Sequence, residues 1–345
     1  MQNQHGGNIY IYQNDMLDFS ANINPYGIPL EVKQAMRNAI DDCIHYPDPY
    51  ATKLRNELAN TYSLKPEQFF CSNGAAEIFY RLSNALRPEN ALITAPTFSE
   101  YEQALSSTGC NIKHYMLNES QNFCVTSSIL DLLNNIDICI LCNPNNPTGI
   151  VIEPCLMDKI ICKCNENNIW LVIDECFIDF LTDEQKYSVL NKISDFNKLI
   201  VVRAFTKMFA VAGVRLGWCA CSDTKVIERL YLAGQTWNTS VIAQACGVAS
   251  LKLTDYPKQT AINIKQLREK LFNDLSKLNF KVYNGMANYL LFYTDDFKLH
   301  EKLIKHNILI RNCDNYLGLG KGYYRVAVRS EQENNILTSA IKEVL

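Results

Sequence analysis

The chain has 345 residues, enough for two domains or for one large core carrying an attached lobe. Hydrophobic residues make up 48% and charged residues 20%, a balance that excludes a disordered chain or a fibre. The formal net charge of -3 gives no overall basic field for nucleic acid or an anionic membrane, so an anionic ligand has to be met by local cations.

The N-terminal segment containing His5-Gly6-Gly7-Asn8 lacks the basic and apolar regions of a secretory signal, and no later apolar run is long enough to span a bilayer. A cytoplasmic protein with reduced thiols is the expectation. The 14 cysteines have irregular spacing and form no CxxC pair, which disfavours a zinc site. Cys139 and Cys142, like Cys219 and Cys221, sit in apolar runs and read as small buried hydrophobes.

In chain order, the turn Asn24-Pro25-Tyr26-Gly27 closes an N-terminal arm and precedes an amphipathic segment, Leu30–Ile40. From about Leu54 to Leu251 short apolar strands alternate with amphipathic helices. Phe69–Cys71, Ala91–Ala95, Ile136–Leu141, Ile169–Ile173 and Leu199–Val202 read as strands. That alternation predicts an α/β fold with a mostly parallel sheet covered by helices on both faces. A helical pattern over Tyr256–Leu278 follows, then strands at Lys281–Tyr283, Tyr289–Tyr293, Ile308–Ile310 and Tyr324–Val328, which suggest a smaller α+β lobe. The arm is expected to pack on that lobe, giving a large domain over 46–251 and a discontinuous small domain over 1–45 and 252–345.

Ligands of α/β proteins collect at the carboxyl ends of strands, and three strand ends here carry chemistry. Asn143-Pro144-Asn145-Asn146-Pro147-Thr148-Gly149 follows one, Asp174-Glu175 the next, and Arg203-Ala204-Phe205-Thr206-Lys207 the third, with Arg215 eight residues beyond the lysine. Alone, each has an ordinary reading as a turn, a helix cap or a solvated side chain. Their order together resembles that of fold type I pyridoxal-phosphate (PLP) enzymes, the aspartate aminotransferase superfamily, over nearly the whole chain.

The resemblance implies PLP as cofactor, held by Lys207 as a Schiff base, with Asp174 pairing to the pyridinium nitrogen. Asn146 would bond the ring's phenolic oxygen, and Thr206 and Arg215 its phosphate. Gly74, Ala75 and Ala76, opening a helix after Phe69–Cys71, would add backbone amides to that phosphate. Phe98 falls where the family stacks an aromatic on the ring, and Tyr46 matches a tyrosine that relatives lend to the neighbouring subunit. A homodimer with a shared active site is therefore implied.

Two subgroups acting on phosphorylated substrates compete, histidinol-phosphate aminotransferases and L-threonine-O-3-phosphate decarboxylases. The second resembles the chain more closely in His5–Asn8, Asp18–Pro25, Ala95–Tyr101 and Tyr324–Arg329. Phe177 stands where the aminotransferases usually carry a tyrosine whose hydroxyl reaches the cofactor. Arg325 is then expected to bind the substrate carboxylate, and His5, Asn8, Asn22, Arg311 and Arg329 become candidates for the substrate phosphate. Decarboxylation of phosphothreonine in cobalamin biosynthesis is the expected activity. A phosphoserine decarboxylase and an aminotransferase are the rivals, and a non-catalytic PLP-binding module fits less well because no helix-turn-helix or basic extension is read.

Overall fold

The computed structural model describes residues 5–345. Its centre is a seven-stranded sheet in the spatial order Phe69–Ser72, Gly217–Cys221, Leu199–Ala204, Trp170–Asp174, Ile138–Cys142, Asn90–Ala95 and Asn111–Met116. Gly217–Cys221 runs antiparallel to both of its neighbours, and the remaining pairings are parallel. The interior strands are buried along their length because helices cover both faces, which is why they read as continuous apolar runs. Asn111–Met116, at the edge, alternates half-buried and exposed residues and carries Lys113 and His114, which discourage further pairing. It is one of two strands of this sheet absent from the sequence reading; Gly217–Cys221 is the other.

The C-terminal part forms a four-stranded antiparallel sheet in the order Arg311–Asn312, Tyr323–Ala327, Tyr289–Tyr293 and Lys281–Val282. Asp255–Ser276 and Glu331–Val344 are the long helices of this part, and the latter begins with a reciprocal cap between Ser330 and Glu333. Leu17–Asp18 pairs in parallel with Ile308–Leu309, and Ala327 N–H donates to the Phe19 carbonyl at 2.8 Å. None of the described helices is long and apolar enough to cross a membrane.

Beneath the large sheet lies a buried ionic cluster. The Arg203 guanidinium reaches Glu175 at 2.8 Å, Glu184 at 2.7 Å and Asp179 at 3.4 Å, and lies over the rings of Tyr62 and Trp218. Glu175 also accepts from Val189 N–H at 2.7 Å and the Ser188 hydroxyl at 2.8 Å. Burial pushes the carboxyls of Glu175 and Asp179 upward while Arg203 opposes the shift. Side chains alternate along a strand, so Arg203 and Ala204 face opposite ways, and the chain places a paired scaffold on one side and a cavity on the other.

Candidate active site

That cavity, about 110 Å³, opens at the carboxyl ends of the parallel strands and includes Ala75, Ala76, Phe98, Asn146, Asp174, Phe177, Thr206, Lys207 and Arg215 in its lining. Four consecutive strand ends deliver Phe98, Asn146, Asp174, Phe177, Thr206 and Lys207, while Ala75 and Ala76 follow Phe69–Ser72 and Arg215 precedes Gly217–Cys221. Lys207 lies in the single helical turn Phe205–Met208 directly after its strand. The N-terminal arm braces this turn: Asn24 donates through its backbone to the Lys207 carbonyl at 3.2 Å and through its amide to the Met208 carbonyl at 2.7 Å.

Burial lowers the Lys207 amine to about 8, with Arg325 and Arg215 reinforcing the shift and Cys176 and Asp174 opposing it. An amine so placed is partly unprotonated near neutral pH and can act as a nucleophile. Its Nζ stands 5.8 Å from the centre of the Phe177 ring. Asp174 is buried, which pushes its carboxyl upward; the countering bonds come from Cys176 and from the Tyr101 hydroxyl, which donates to Oδ2 at 2.5 Å.

At the other end of the cavity the helix Ala75–Leu86 presents its first amides. Gly74, with φ at +86°, precedes it, and a Cβ there would fall on the Arg215 guanidinium. Only glycine lets the backbone close against that cation. The helix start, Arg215 and Thr206 thus form a cradle suited to a phosphate.

Arg325 is buried and donates to the Asn146 side-chain oxygen and, at 2.6 Å, to the Ser20 carbonyl. With its oxygen taken, Asn146 keeps its NH2 to donate. Arg325 Nε is buried and has no hydrogen-bond partner among the described residues. Tyr289, from the C-terminal sheet, donates to the Asn145 carbonyl at 2.8 Å and packs edge-on against Phe177. Nothing in the sequence pattern singled out Tyr289 or Tyr101; only the general need of a buried phenol for an acceptor pointed toward them.

The other expected residues are spread around the cavity. His5 pairs with Glu100 at 2.8 Å and rests 5.6 Å from the Phe98 ring, so the arm is tied beside that wall. Asn8 is half-buried ahead of the turn Ile9–Ile11. Asn22 is buried, and its side-chain oxygen has no partner among the described residues. Arg311 lies in a larger adjoining cavity of about 700 Å³ that shares Phe98, and donates to Asn312 and Asn315. Arg329 is engaged by Glu333 at 2.6 Å and the Asp18 carbonyl at 3.0 Å, holding the arm to the last helix. Tyr46 lies outside the cavity lining, 77% exposed and stacked on Trp237 at 4.4 Å.

Comparison with known proteins accounts for this arrangement. Residues 14–341 match the family Aminotransferase class I and II, and the chain belongs to it. It is 35% identical to a threonine-phosphate decarboxylase of Salmonella typhimurium, covering 99% of this chain and 96% of that protein. It is 32% identical to an adenosylcobalamin biosynthesis bifunctional protein of Leptospira interrogans, covering 99% of this chain and 41% of the larger protein. Among solved structures, a histidinol-phosphate aminotransferase from Clostridium acetobutylicum superposes with a TM-score of 0.89 at 30% identity, covering 94% of this chain and 98% of that one. The protein is a PLP-dependent enzyme of the fold type I architecture. Its residues suit that cofactor: an anion cradle with a Gly74 contact that no larger residue permits, a buried carboxylate, and an amine held near 8.

Proposed function

We propose that the protein decarboxylates L-threonine O-3-phosphate to (R)-1-amino-2-propanol O-2-phosphate and CO2, in cobalamin biosynthesis, as a homodimer. The observation that carries the reading is Phe177, a ring without a hydroxyl set into the cavity wall 5.8 Å from Lys207 Nζ. Where an aminotransferase of this kind offers a phenol to the cofactor, this chain offers none, and the two activities part at that point. The identity to the Salmonella decarboxylase over almost the full length supports the same choice.

PLP, when bound, supplies the electron sink for the bond that breaks at the substrate Cα. Gly74, Ala75, Ala76, Thr206 and Arg215 would hold its phosphate, and Asp174, Asn146 and Phe98, which line the same cavity, would serve its ring nitrogen, its phenolic oxygen and its aromatic face. Arg325 would orient the substrate carboxylate by charge-assisted bonding. As CO2 leaves, Lys207 Nζ delivers a proton to Cα, a transfer suited to an amine that titrates near 8. His5, Asn8 and Asn22 of the arm, with Arg311 and Arg329, are the groups from which the substrate phosphate draws its anchor. A remote anchor of that kind lets the carboxylate turn out of the ring plane. Tyr46, exposed within its own chain, completes the phosphate site of the partner subunit.

Incubation with phosphothreonine, with CO2 and keto acid followed together, tests the reading. Stoichiometric CO2 and an amino-alcohol phosphate are expected, with little turnover of unphosphorylated threonine. Keto acid formed in step with amino transfer to 2-oxoglutarate would replace it with an aminotransferase. One methyl group contributes only about 1–3 kcal/mol to discrimination, so phosphoserine belongs in the same experiment.

A further inference from the structure

Tyr101 is fully buried, and its hydroxyl spends its proton on Asp174 Oδ2 at 2.5 Å, a charge-assisted bond. The Cys142 thiol also lies within hydrogen-bonding reach of that hydroxyl. The ring is clamped edge-on by Phe79 at 4.6 Å and by Phe98 at 5.6 Å, and its helix, Glu100–Ser106, is anchored at Glu100 by Tyr80 at 3.1 Å. On the opposite carboxylate oxygen, Cys176 N–H donates at 2.9 Å. Tyr101 holds one oxygen and Cys176 N–H the other, with the Cys176 side chain adding a further bond, and together they set the plane of the carboxylate that lines the cavity.

From this geometry we infer that Tyr101 is a positioning residue, fixing Asp174 as an oriented anion for the cofactor's ring nitrogen. The inference rests on the reading of Asp174 as the partner of that nitrogen. Desolvation alone would favour a neutral Asp174; the Tyr101 hydroxyl and the Cys176 donors counter it. Tyr101 itself is pushed well above the ordinary phenol range, by burial first and by the Asp174 charge next, so it stays a donor at every pH the enzyme meets. Phe98 and Tyr101 lie one helical turn apart, so the segment that supplies the stacking wall also holds the carboxylate, and the two set ring height and nitrogen contact together.

The test compares apoenzyme binding of PLP with binding of an analogue in which carbon replaces the ring nitrogen, measured by calorimetry. Wild type should favour PLP. Tyr101→Phe, which keeps the aromatic packing, should lose about tenfold in PLP affinity and leave analogue affinity unchanged. Asp174→Ala should bind the two cofactors alike. Equal weakening of both by Tyr101→Phe, or of neither, would overturn the positioning role. A wild-type preference surviving in Asp174→Ala would instead remove the reading beneath it, a result separable from the first. A second readout needs no turnover. Loss of the donor raises the Asp174 carboxyl further, so the acid limb of the bound-cofactor absorbance should move to higher pH in Tyr101→Phe, and an unmoved limb would count against the proposal.

Discussion

Two neighbourhoods on opposite sides of the strand Leu199–Ala204 use charge in opposite ways. Below it, Arg203 is shared among Glu175, Glu184 and Asp179, and Glu175 takes two more bonds from Val189 and Ser188. Above it, Lys207 is held near 8 beside two arginines, Arg325 Nε has no partner among the described residues, and Asp174 lines a cavity. Adjacent residues divide the labour: Asp174 serves the cavity and Glu175 the scaffold, as Ala204 and Arg203 do on the next strand. The charges of the lower cluster are satisfied by one another, whereas those around the cavity, which the proposed function assigns to chemistry, are not paired as ions among themselves at salt-bridge distance among the described residues. A buried ion pair adds little net stability but is costly to break, so the lower cluster shows its weight chiefly when one partner is removed.

The largest effect expected from disturbing this division is at Lys207. Lys207→Ala should cut turnover at least about a thousandfold and abolish labelling by borohydride reduction, while the phosphate cradle still retains some cofactor. Labelling elsewhere in a peptide map of the wild type would dislodge the assignment.

Arg203→Met should leave the cavity's residues intact yet cost about 3–5 kcal/mol of stability, read by denaturant unfolding. Glu175 and Asp179 already hold their protons more tightly folded than unfolded, and losing the cation raises both further. Their contribution is therefore present at low pH and lost as pH rises through the folded values. The defect should be larger at pH 8 than at pH 5, and a defect independent of pH would mean the cluster is not ionic in effect.

Phe177→Tyr is a smaller change, about fivefold in decarboxylation with a rise in keto-acid side product, since one neutral hydrogen bond is added. An unchanged product ratio would show that Phe177 does not divide the two activities. The smallest expected effect is a shift in midpoint. Capture of PLP by the apoenzyme needs the neutral amine, so its rate should rise with pH around 8, and not near 10.5, in stopped-flow absorbance.

The parallel strands were legible in the sequence because burial on both faces leaves an unbroken apolar run, and the strand ends could then be searched for chemistry. Asn143–Gly149, Asp174 and Lys207 came out of that search, and the cavity brings Asn146, Asp174 and Lys207 together. The run Trp218–Cys221 was visible as buried, but nothing in a buried run states its direction, and its antiparallel course went unread. Asn111–Met116 was missed for the converse reason, since an edge strand with Lys113 and His114 lacks an apolar signature. Arg203 could be placed at a strand end but not on a face, and its three acidic partners are set by tertiary packing. Tyr101 and Tyr289 likewise depend on partners distant in sequence, 73 and 144 residues away.

The Gly74–Arg215 contact has a consequence for how the protein comes into being. Its two halves flank strands that pair with each other, Phe69–Ser72 and Gly217–Cys221, although most of the large sheet's sequence lies between them. Gly217 meets the backbone of Gly74 and Ala75 so closely that a side chain would collide there. Until the ribosome has released the chain beyond Cys221 there is no second strand for the first to join, and a nascent chain carrying Asp174 and even Lys207 still lacks the contact proposed to grip the phosphate. Non-local closures of this kind come late and slowly. On the proposed phosphate site, cofactor uptake would therefore require the pairing of Phe69–Ser72 with Gly217–Cys221.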